Sequence, residues 1–469
     1  MADLAQELTA LLGAGAVLVE AADLEKYEKG WRYGAGKARL VVRPSTTQEV
    51  SAVLAHCHAS GVRVIPQGGN TGLVGASVPD ASGGMVVLSL ERLSHAIEID
   101  LLDRTVSVEG GVLLSQLNAA LAEHGLIFPV DLGADPQIGG MVATNTGGTR
   151  LLKYGDVRHN LLGVEVVLAD GTVIDALKRL RKDNTGLDLK QLFTGTTGVF
   201  GVVTRAVLNV VPLPRQRVTA LVGCTGGEGV LGLLQAMEHR GLELLTAFEV
   251  MSAEALRAVF THQPRLRNPY GNAEVPAYTI LVELSSTLEE ASLDLGGFLE
   301  ETLAAHLEQD SDGQISEVFM SRPEEAWEIR HHISESLRSE GRVLGLDISV
   351  PRSKLPAFTE AVAAWVQAEH PYLRICDFGH WGDGGTHLNL VWDPAEASLP
   401  PEALIPAVQQ KVYDLAVLEF GGSYSAEHGV GPHNQRHYEA YTPDTTRSLC
   451  TVLKRHFDPQ GTLGTTRLG

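Results

Sequence analysis

Val62-Arg63-Val64-Ile65-Pro66-Gln67-Gly68-Gly69-Asn70-Thr71-Gly72-Leu73-Val74-Gly75 reads as a strand emptying into a loop with a bare backbone. A β-branched run ends at Pro66, and the next nine residues hold four glycines before apolar character resumes. Without Cβ atoms, successive N–H groups can converge on an anion, and Gln67, Asn70 and Thr71 add side-chain hydrogen bonds. The guest such a loop suits is a phosphate or pyrophosphate; the competing reading is a tight surface turn. A nucleoside triphosphate does not fit, because a Walker-type loop ends in Gly-Lys and no lysine lies between Val62 and Asp80. The dinucleotide fingerprint does not fit either, since these glycines are paired and widely spaced. Gly13-Ala14-Gly15 follows a helix-like segment and lacks the third glycine, so it reads as a helix end.

Upstream of the loop, Arg39 to Arg43 reads as a strand and Thr47 to about Ser60 as a helix, with Ser45 or Thr46 as N-cap and Glu49 in the first turn. A βαβ unit therefore leads into the glycines, and strands at 85–89 and 105–109 and a helix over 114–124 follow, which makes an α+β domain. The chain has 469 residues, enough for two or three domains with ample core. Its 37 basic against 57 acidic residues, net charge −20, argue against nucleic acid and against an anionic membrane surface. Cys57, Cys224, Cys376 and Cys450 show no metal or disulfide spacing, which suits a reducing compartment. The N-terminus lacks a secretory pattern, and no apolar run approaches a membrane span, so a cytoplasmic protein is the expectation.

Two further segments repeat the pairing of glycines with small polar residues. One runs from Phe128-Pro129-Val130-Asp131 through Gly139-Gly140-Met141-Val142-Ala143-Thr144-Asn145 to Gly147-Gly148, and Gly139-Gly140 would open a short helix. The other runs from Asp183 through Gly198-Val199-Phe200-Gly201-Val202 to Thr204. Val211-Pro212-Leu213-Pro214 is a stiff linker that ends this domain. Beyond it, strand, helix, strand over 219–222, 230–240 and 278–284 and helices over 288–309 and 323–338 make a second α+β region.

In that region Gly382 to Gly385 is a turn inside Cys376-Asp377-Phe378-Gly379-His380-Trp381-Gly382-Asp383-Gly384-Gly385-Thr386-His387-Leu388-Asn389. A hairpin centred between Asp383 and Gly384 puts His380 directly opposite His387, with Cβ atoms about 4.5–5.5 Å apart and Asn389 on the same face. Two facing imidazoles suit a metal when a third ligand arrives; otherwise they are a stacked surface pair. Glu427-His428 sits between Ser423-Tyr424-Ser425 and two glycines, after a helix over 401–420. Ile329, Ile333 and Leu337 form one helical stripe, with Arg330 and Ser334 at its edge; the ordinary fate of such an arginine is solvent.

The glycine loop, Gly139 to Asn145, Tyr154-Gly155 with the strand after it, and Gly198 to Thr204 resemble, in this order, the FAD domain of vanillyl-alcohol oxidase type flavoproteins. More closely the chain resembles the FAD-dependent D-2-hydroxyacid dehydrogenases, a family that includes D-lactate, glycolate and D-2-hydroxyglutarate enzymes, over nearly its whole length. The resemblance implies noncovalent FAD held by the first loop and Ser77 and by Pro129, Asp131, Gly139, Gly140, Thr144, Asn145, Gly147, Gly148, Tyr154, Gly155, Gly198, Gly201 and Val202. It implies a divalent metal, Zn²⁺ before Mn²⁺ or Fe²⁺, on His380, His387 and Glu427. His428 becomes the acid/base, Arg330 and Ser334 hold a substrate carboxylate, and Asn389 joins the catalytic set.

The implied reaction takes a small anionic D-2-hydroxy acid to the 2-oxo acid, with hydride to flavin N5 and electrons on to a quinone, an electron-transfer flavoprotein or a cytochrome. The implied organisation is an FAD domain over 1–213, a cap domain with the metal hairpin over 214–422, and a C-terminal active-site segment over 423–469 that packs back toward the FAD domain. A homodimer is compatible, and a peripheral place at the inner membrane is left open. The chain departs from the family pattern at Thr197, at Gly464-Thr465, at Pro432 to Arg436, and at Gly345, where the hydroxyglutarate enzymes carry a lysine. Two other readings stand beside this one: an oxidase of the same superfamily that uses O₂ directly, and a phosphate-binding module without catalysis.

Overall fold

The computed structural model describes residues 2–469 and divides into two compact units. One comprises the residues up to Gly148, Gly155–Leu213 and Glu427–Gly469; the other comprises Thr149–Tyr154 and Pro214–Ala426. Both mix helices with sheets, so the chain is α+β, as the sequence leads one to expect.

The first unit holds a four-stranded sheet in the order Val17–Leu18, Ala38–Val42, Met85–Ser89, Val64–Gln67, its last three strands parallel. The crossover helix Thr47–Ala59 forms where its caps dictate. The Thr46 hydroxyl accepts from the Glu49 amide at 3.1 Å, and the Glu49 carboxylate accepts from the Ser45 amide at 2.6 Å. Val50, Val53, Leu54 and Cys57, spaced i, i+3, i+4 and i+7, are buried in the core between helix and sheet. Each aliphatic side chain so buried contributes on the order of 1.5–3 kcal/mol. The strand Val64–Gln67 then delivers the chain to the glycine loop.

A five-stranded antiparallel sheet, ordered Ile97–Asp100, Thr105–Glu109, Val202–Asn209, Leu161–Val167, Val173–Ala176, completes this unit. The short helix Ile138–Thr144 lies against its central strand. Gly139 allows that approach, because a Cβ there would stand 2.8 Å from the Val203 carbonyl oxygen and 3.0 Å from that of Gly110. The C-terminal helix Asp444–Phe457 is tied in by Lys454, whose ammonium donates to the carbonyls of Val199 and Leu463, each at 2.8 Å, and to Asp458 at 2.7 Å.

The second unit is built on an eight-stranded antiparallel sheet. Its main path runs Ile315–Ser321, Gln216–Cys224, Tyr278–Ser286, Leu245–Ser252, Phe378–Gly379, Gly385–Trp392, Arg342–Ser349. The helices Ala253–His262, Pro323–His331 and Ile333–Glu340 share one core with Leu221, Ala247, Met251, Leu281, Phe378 and Val391. The alternate residues Ala220, Val222, Phe248, Val250, Ile280 and Val282 are buried as well.

Several elements differ from the sequence reading. The strand Leu245–Ser252 was not expected; every one of its residues is buried, so it has no polar alternation to announce it. The helix expected from Leu288 begins at Leu295, where the Asp294 carboxylate caps it by accepting from the Gly297 amide at 2.9 Å. The helix expected over 323–338 is two helices meeting at His332, and the one expected over 401–420 leaves α geometry after Asp414 through a π turn, ending at Gly421 with φ 71°. Among the described residues no helix is long and apolar enough to cross a membrane.

Candidate functional site

In the first unit the three glycine segments converge. A Cβ on Gly68 would lie 3.5 Å from Gln137 Oε1 and 3.7 Å from the Gly140 Cα, and one on Gly198 would lie 3.5 Å from the Pro66 ring. Gln67 fixes the base of the loop by donating to the carbonyls of Tyr27 at 3.0 Å and Ser77 at 2.8 Å. Asn70 sits in the left-handed region, φ 55°; its amide donates to Lys29 and its carbonyl accepts from the Ser77 hydroxyl at 2.8 Å. Between these pins, the backbone N–H groups of residues 69–74 meet no protein acceptor among the described residues, Thr71 and Leu73 included. Gly72 and Gly140 face open space where a Cβ would be.

Buried Gln137 Oε1 likewise has no protein partner among the described residues. Backbone polar groups are seldom left unpaired, so a run of unclaimed donors beside two open glycines fits an anionic, flat guest such as the pyrophosphate and ring of FAD. The other expected contacts are structural to varying degree. Gly148 passes so close to Asp131 that a Cβ would stand 2.2 Å from its carbonyl, and Gly201 packs equally tightly on Val166. Thr144 donates to the Gly140 carbonyl at 2.9 Å, and Asn145, φ 53°, donates to Asp156 at 2.8 Å. Thr197 also has a positive φ, 53°, and its amide donates to Ala143 at 2.7 Å. Pro129 and Gly147 lie on the connections flanking the helix Ile138–Thr144, Gly155 turns with φ 72°, and Val202 begins the central strand. Tyr154 belongs to the second unit.

The loop after Glu427 and His428 is part of this same unit and runs against the glycine loop. The His433 amide donates to the Val74 carbonyl at 3.1 Å, and a Cβ on Gly431 would stand 2.5 Å from that oxygen. Asn434 holds the loop's shape by donating to Gly429 at 2.8 Å and accepting from Gly431 at 2.9 Å. Glu427 and His428, both half-buried, offer ligand atoms within 4.8 Å of each other.

In the second unit the hairpin has a register that the sequence reading missed by two residues. Phe378, not His380, stands opposite His387. The turn is longer than expected: the His380 carbonyl accepts from the amides of Asp383 and Gly385, both at 3.0 Å, and Gly379 and Gly384 take φ 141° and 96°. A shift of two preserves side-chain parity, so both imidazoles stay on one face, their centroids 5.2 Å apart and their planes near perpendicular. Asp347 is opposite His387 in the next strand, its carboxylate 3.9 Å from Nδ1. Asn389 stands opposite Gly345 and donates to the His387 carbonyl at 2.9 Å. The chain leaves this unit beside Asp347, whose carbonyl accepts from the Ala426 amide at 3.2 Å; Glu427 is the next residue.

The same face carries a residue that sequence reasoning missed. Glu249, 1% exposed, accepts from Arg330 Nε at 2.7 Å on one oxygen and contacts His380 Nδ1 at 2.5 Å on the other. Burial pushes its carboxyl up, but the contacts with His380 and Arg330 more than reverse that and hold it at about 2. The signal was a lone carboxylate inside Leu245-Thr246-Ala247-Phe248-Glu249-Val250-Met251, in a strand the periodicity did not reveal. Arg330 is itself buried, its guanidinium 4.5 Å over the Phe378 ring, and neither Nη has a protein acceptor among the described residues. Ser334 is exposed, beyond the break at His332 that separates it from the helix of Arg330.

Residues 38–177 match the FAD binding domain family, and residues 213–467, more than half the chain, match the family described as FAD linked oxidases, C-terminal domain. The mitochondrial D-2-hydroxyglutarate dehydrogenase of Bos taurus is 36% identical over 454 residues, which cover 96% of this chain and 80% of that one. The D-2-hydroxyglutarate dehydrogenase of Stutzerimonas stutzeri is 32% identical, covering 98% and 97%. Among solved structures, 4-ethylphenol oxidase from Gulosibacter chungangensis superposes with TM-score 0.72 at 17% identity over 100% of this chain and 97% of that one. p-Cresol methylhydroxylase does so with TM-score 0.70 at 18% identity over 98% and 95%, and at these identities both bear on the fold alone, the vanillyl-alcohol oxidase type. With relatives this similar along nearly its entire length, the chain belongs to the family of FAD-linked D-2-hydroxyacid dehydrogenases and is an FAD-dependent oxidoreductase.

Proposed function

We propose that this chain oxidises a D-2-hydroxy acid, D-2-hydroxyglutarate first among them, to the 2-oxo acid and hands the electron pair to a separate acceptor. The observation that carries this reading is the face of the second unit's sheet, where a buried arginine whose two Nη groups meet no acceptor among the described residues shares a carboxylate with one of two neighbouring imidazoles. Such a face suits an anionic substrate and a cation together. The substrate class comes from the relatives' names.

FAD, when bound, supplies the acceptor for the hydride that leaves the substrate Cα. The residues to hold it are those of the first loop, Pro66 to Leu73 with Ser77, together with Gly139 to Asn145 and Gly198 to Val202. A divalent ion, Zn²⁺ in the first instance, would be held by His380, His387 and Glu427 and would supply Lewis acidity at the substrate oxygens. The close pairs Asp347–His387 and Glu427–His428 support His387 and Glu427 in this role, because both pairs consist of residue types that ligate such ions, and His380 joins them through its ring, 5.2 Å from that of His387.

The remaining work falls to this chain's own groups. The Arg330 Nη pair binds the C1 carboxylate in the forked geometry an arginine offers. His428 takes the hydroxyl proton, a role an imidazole suits near neutral pH, as the carbonyl forms. Asn389 fixes the backbone of His387 through its carbonyl.

A second substrate reading, a monocarboxylate such as D-lactate, rests on Gly345. It stands opposite Asn389 and supplies no charge for a distal carboxylate. The proposed acceptor is a quinone, an electron-transfer flavoprotein or a cytochrome.

The test supplies the FAD-loaded protein with D- and L-2-hydroxyglutarate and D- and L-lactate, with an artificial electron acceptor under argon and without one in air. The reading expects 2-oxo acid equal to acceptor reduced, from D-isomers, with little oxygen uptake. Stoichiometric hydrogen peroxide in air, or a preference for L-isomers, would overturn it.

A further inference from the structure

We propose that Glu249 is a positioning residue that sets both the ring orientation of His380 and the fork of Arg330, so that the metal site and the substrate-carboxylate site are aligned by one buried side chain. This rests on the reading of His380 and Arg330 given above. The two oxygens of Glu249 are divided between the two partners, Oε1 to His380 Nδ1 and Oε2 to Arg330 Nε. The partners arrive on different elements, the hairpin after Phe378–Gly379 and the helix Pro323–His331, while Glu249 comes from the strand Leu245–Ser252 between them.

The chemistry follows from what each contact fixes. An imidazole whose Nδ1 faces a carboxylate carries its proton there, which leaves the lone pair on Nε2, the atom a metal needs. A guanidinium held at Nε cannot turn in its own plane, so the Nη edge is directed away from Glu249. That edge is the one without a protein acceptor among the described residues. One carboxylate therefore selects a tautomer at one neighbour and an orientation at the other.

A purely structural role is the competing explanation, and the fold provides its own control. Glu283, equally buried, anchors the same helix by accepting from Trp327 Nε1 at 2.8 Å and from Arg217 at 2.7 Å. Trp327 lies three residues before Arg330, so the helix has two carboxylate anchors, and among the described contacts only that of Glu249 also reaches an imidazole. Loss of helix anchoring should be common to both glutamates; loss of imidazole alignment should be peculiar to Glu249.

The experiment measures Zn²⁺ affinity of the FAD-loaded protein by competition with a chromophoric chelator, for Glu249→Gln, Glu283→Gln and His380→Ala. Glutamine keeps the shape of Glu249 but opposes an N–H donor to one of its two donor partners. We expect Glu249→Gln to bind Zn²⁺ about 10–100-fold more weakly, as second-layer partners of metal ligands typically do, and Glu283→Gln to stay within about threefold of the parent. Should Glu249→Gln not accumulate as a yellow, folded protein, Glu249→Asp, too short to reach both partners, is expected to shift affinity in the same direction. Parent affinity in Glu249→Gln alongside loss in His380→Ala would sink the positioning role alone. Equal weakening in both glutamine variants would reduce Glu249 to an anchor. Parent affinity in His380→Ala would remove the metal reading and the role of Glu249 with it.

Discussion

Removing the Arg330 side chain should cost far more than a charged residue near a helix end ordinarily does. In Arg330→Ala the Glu249 carboxylate, 1% exposed, loses the donor at 2.7 Å and is left with His380 alone. Breaking one side of a buried ion pair typically costs about 3–5 kcal/mol. The depression of the Glu249 carboxyl to about 2, from an ordinary value of 4.5, agrees in size: at roughly 1.4 kcal/mol per unit it amounts to about 3 kcal/mol shared between its two partners. For a unit of this size the apparent melting temperature should fall by on the order of 10 °C. The sign with pH is fixed as well. In the parent, the folded value lies below the unfolded one, so the stabilisation is present above about pH 4.5 and lost as pH falls toward 2. In the variant the carboxyl has lost one of the two partners that oppose burial, so the deficit is fullest at pH 8, where Glu249 is ionised, and shrinks as pH falls toward 5 and below. Thermal unfolding of parent, Arg330→Ala, Glu249→Leu and the double variant at both pH values gives the coupling. The double variant should be more stable than either single one predicts by addition. Strict additivity, or a loss below about 1 kcal/mol at pH 8, would refute the reasoning.

His428→Ala should leave the yellow flavin in place and slow its reduction by substrate about 10²–10⁴-fold, the usual worth of a general base; rapid bleaching in stopped flow would remove that role. Lys454→Met should destabilise the first unit by about 3 kcal/mol, the low end for a broken buried ion pair, read as a drop in melting temperature, because the fully buried Asp458 side chain loses its ammonium partner while keeping the amides of Thr462 and Leu463. Burial pushes the Asp458 carboxyl up, but Lys454 and the amides of Leu463 and Thr462 outweigh it and hold the group below its ordinary range. The parent's advantage over Lys454→Met should therefore be full at pH 7 and fade as pH drops below about 4.

What the sequence disclosed and what it hid follow from how local each determinant is. The glycine loop was legible because a bare backbone after a strand is written in adjacent residues, and the cap at Ser45 to Glu49 placed the preceding helix within a residue or two. The imidazole face was legible for a different reason: parity survives a register error of two, so His380 and His387 share a face although their pairing was misjudged. The turn length itself is set by Gly379 and Gly384 in the left-handed region, which residue types alone do not fix. Glu249 was hidden because its strand is buried on both sides and so shows no alternation, and because its partners lie far off, at 330 and 380 in the chain. Ser334 shows the limit of spacing arguments: four residues after Arg330 means one helical stripe only if the helix continues, and it breaks at His332.

The measurement that bears most directly on this account is anaerobic flavin reduction on rapid mixing with D-2-hydroxyglutarate, made on the protein as purified, after chelator treatment, and after Zn²⁺ is restored. The account predicts loss of the flavin absorbance near 450 nm in the first and third cases, at least about tenfold slower in the second, with one 2-oxo acid formed per flavin. Reduction that is indifferent to the chelator would contradict the metal-assisted chemistry, and a flavin that no D-2-hydroxy acid reduces would contradict the reaction itself.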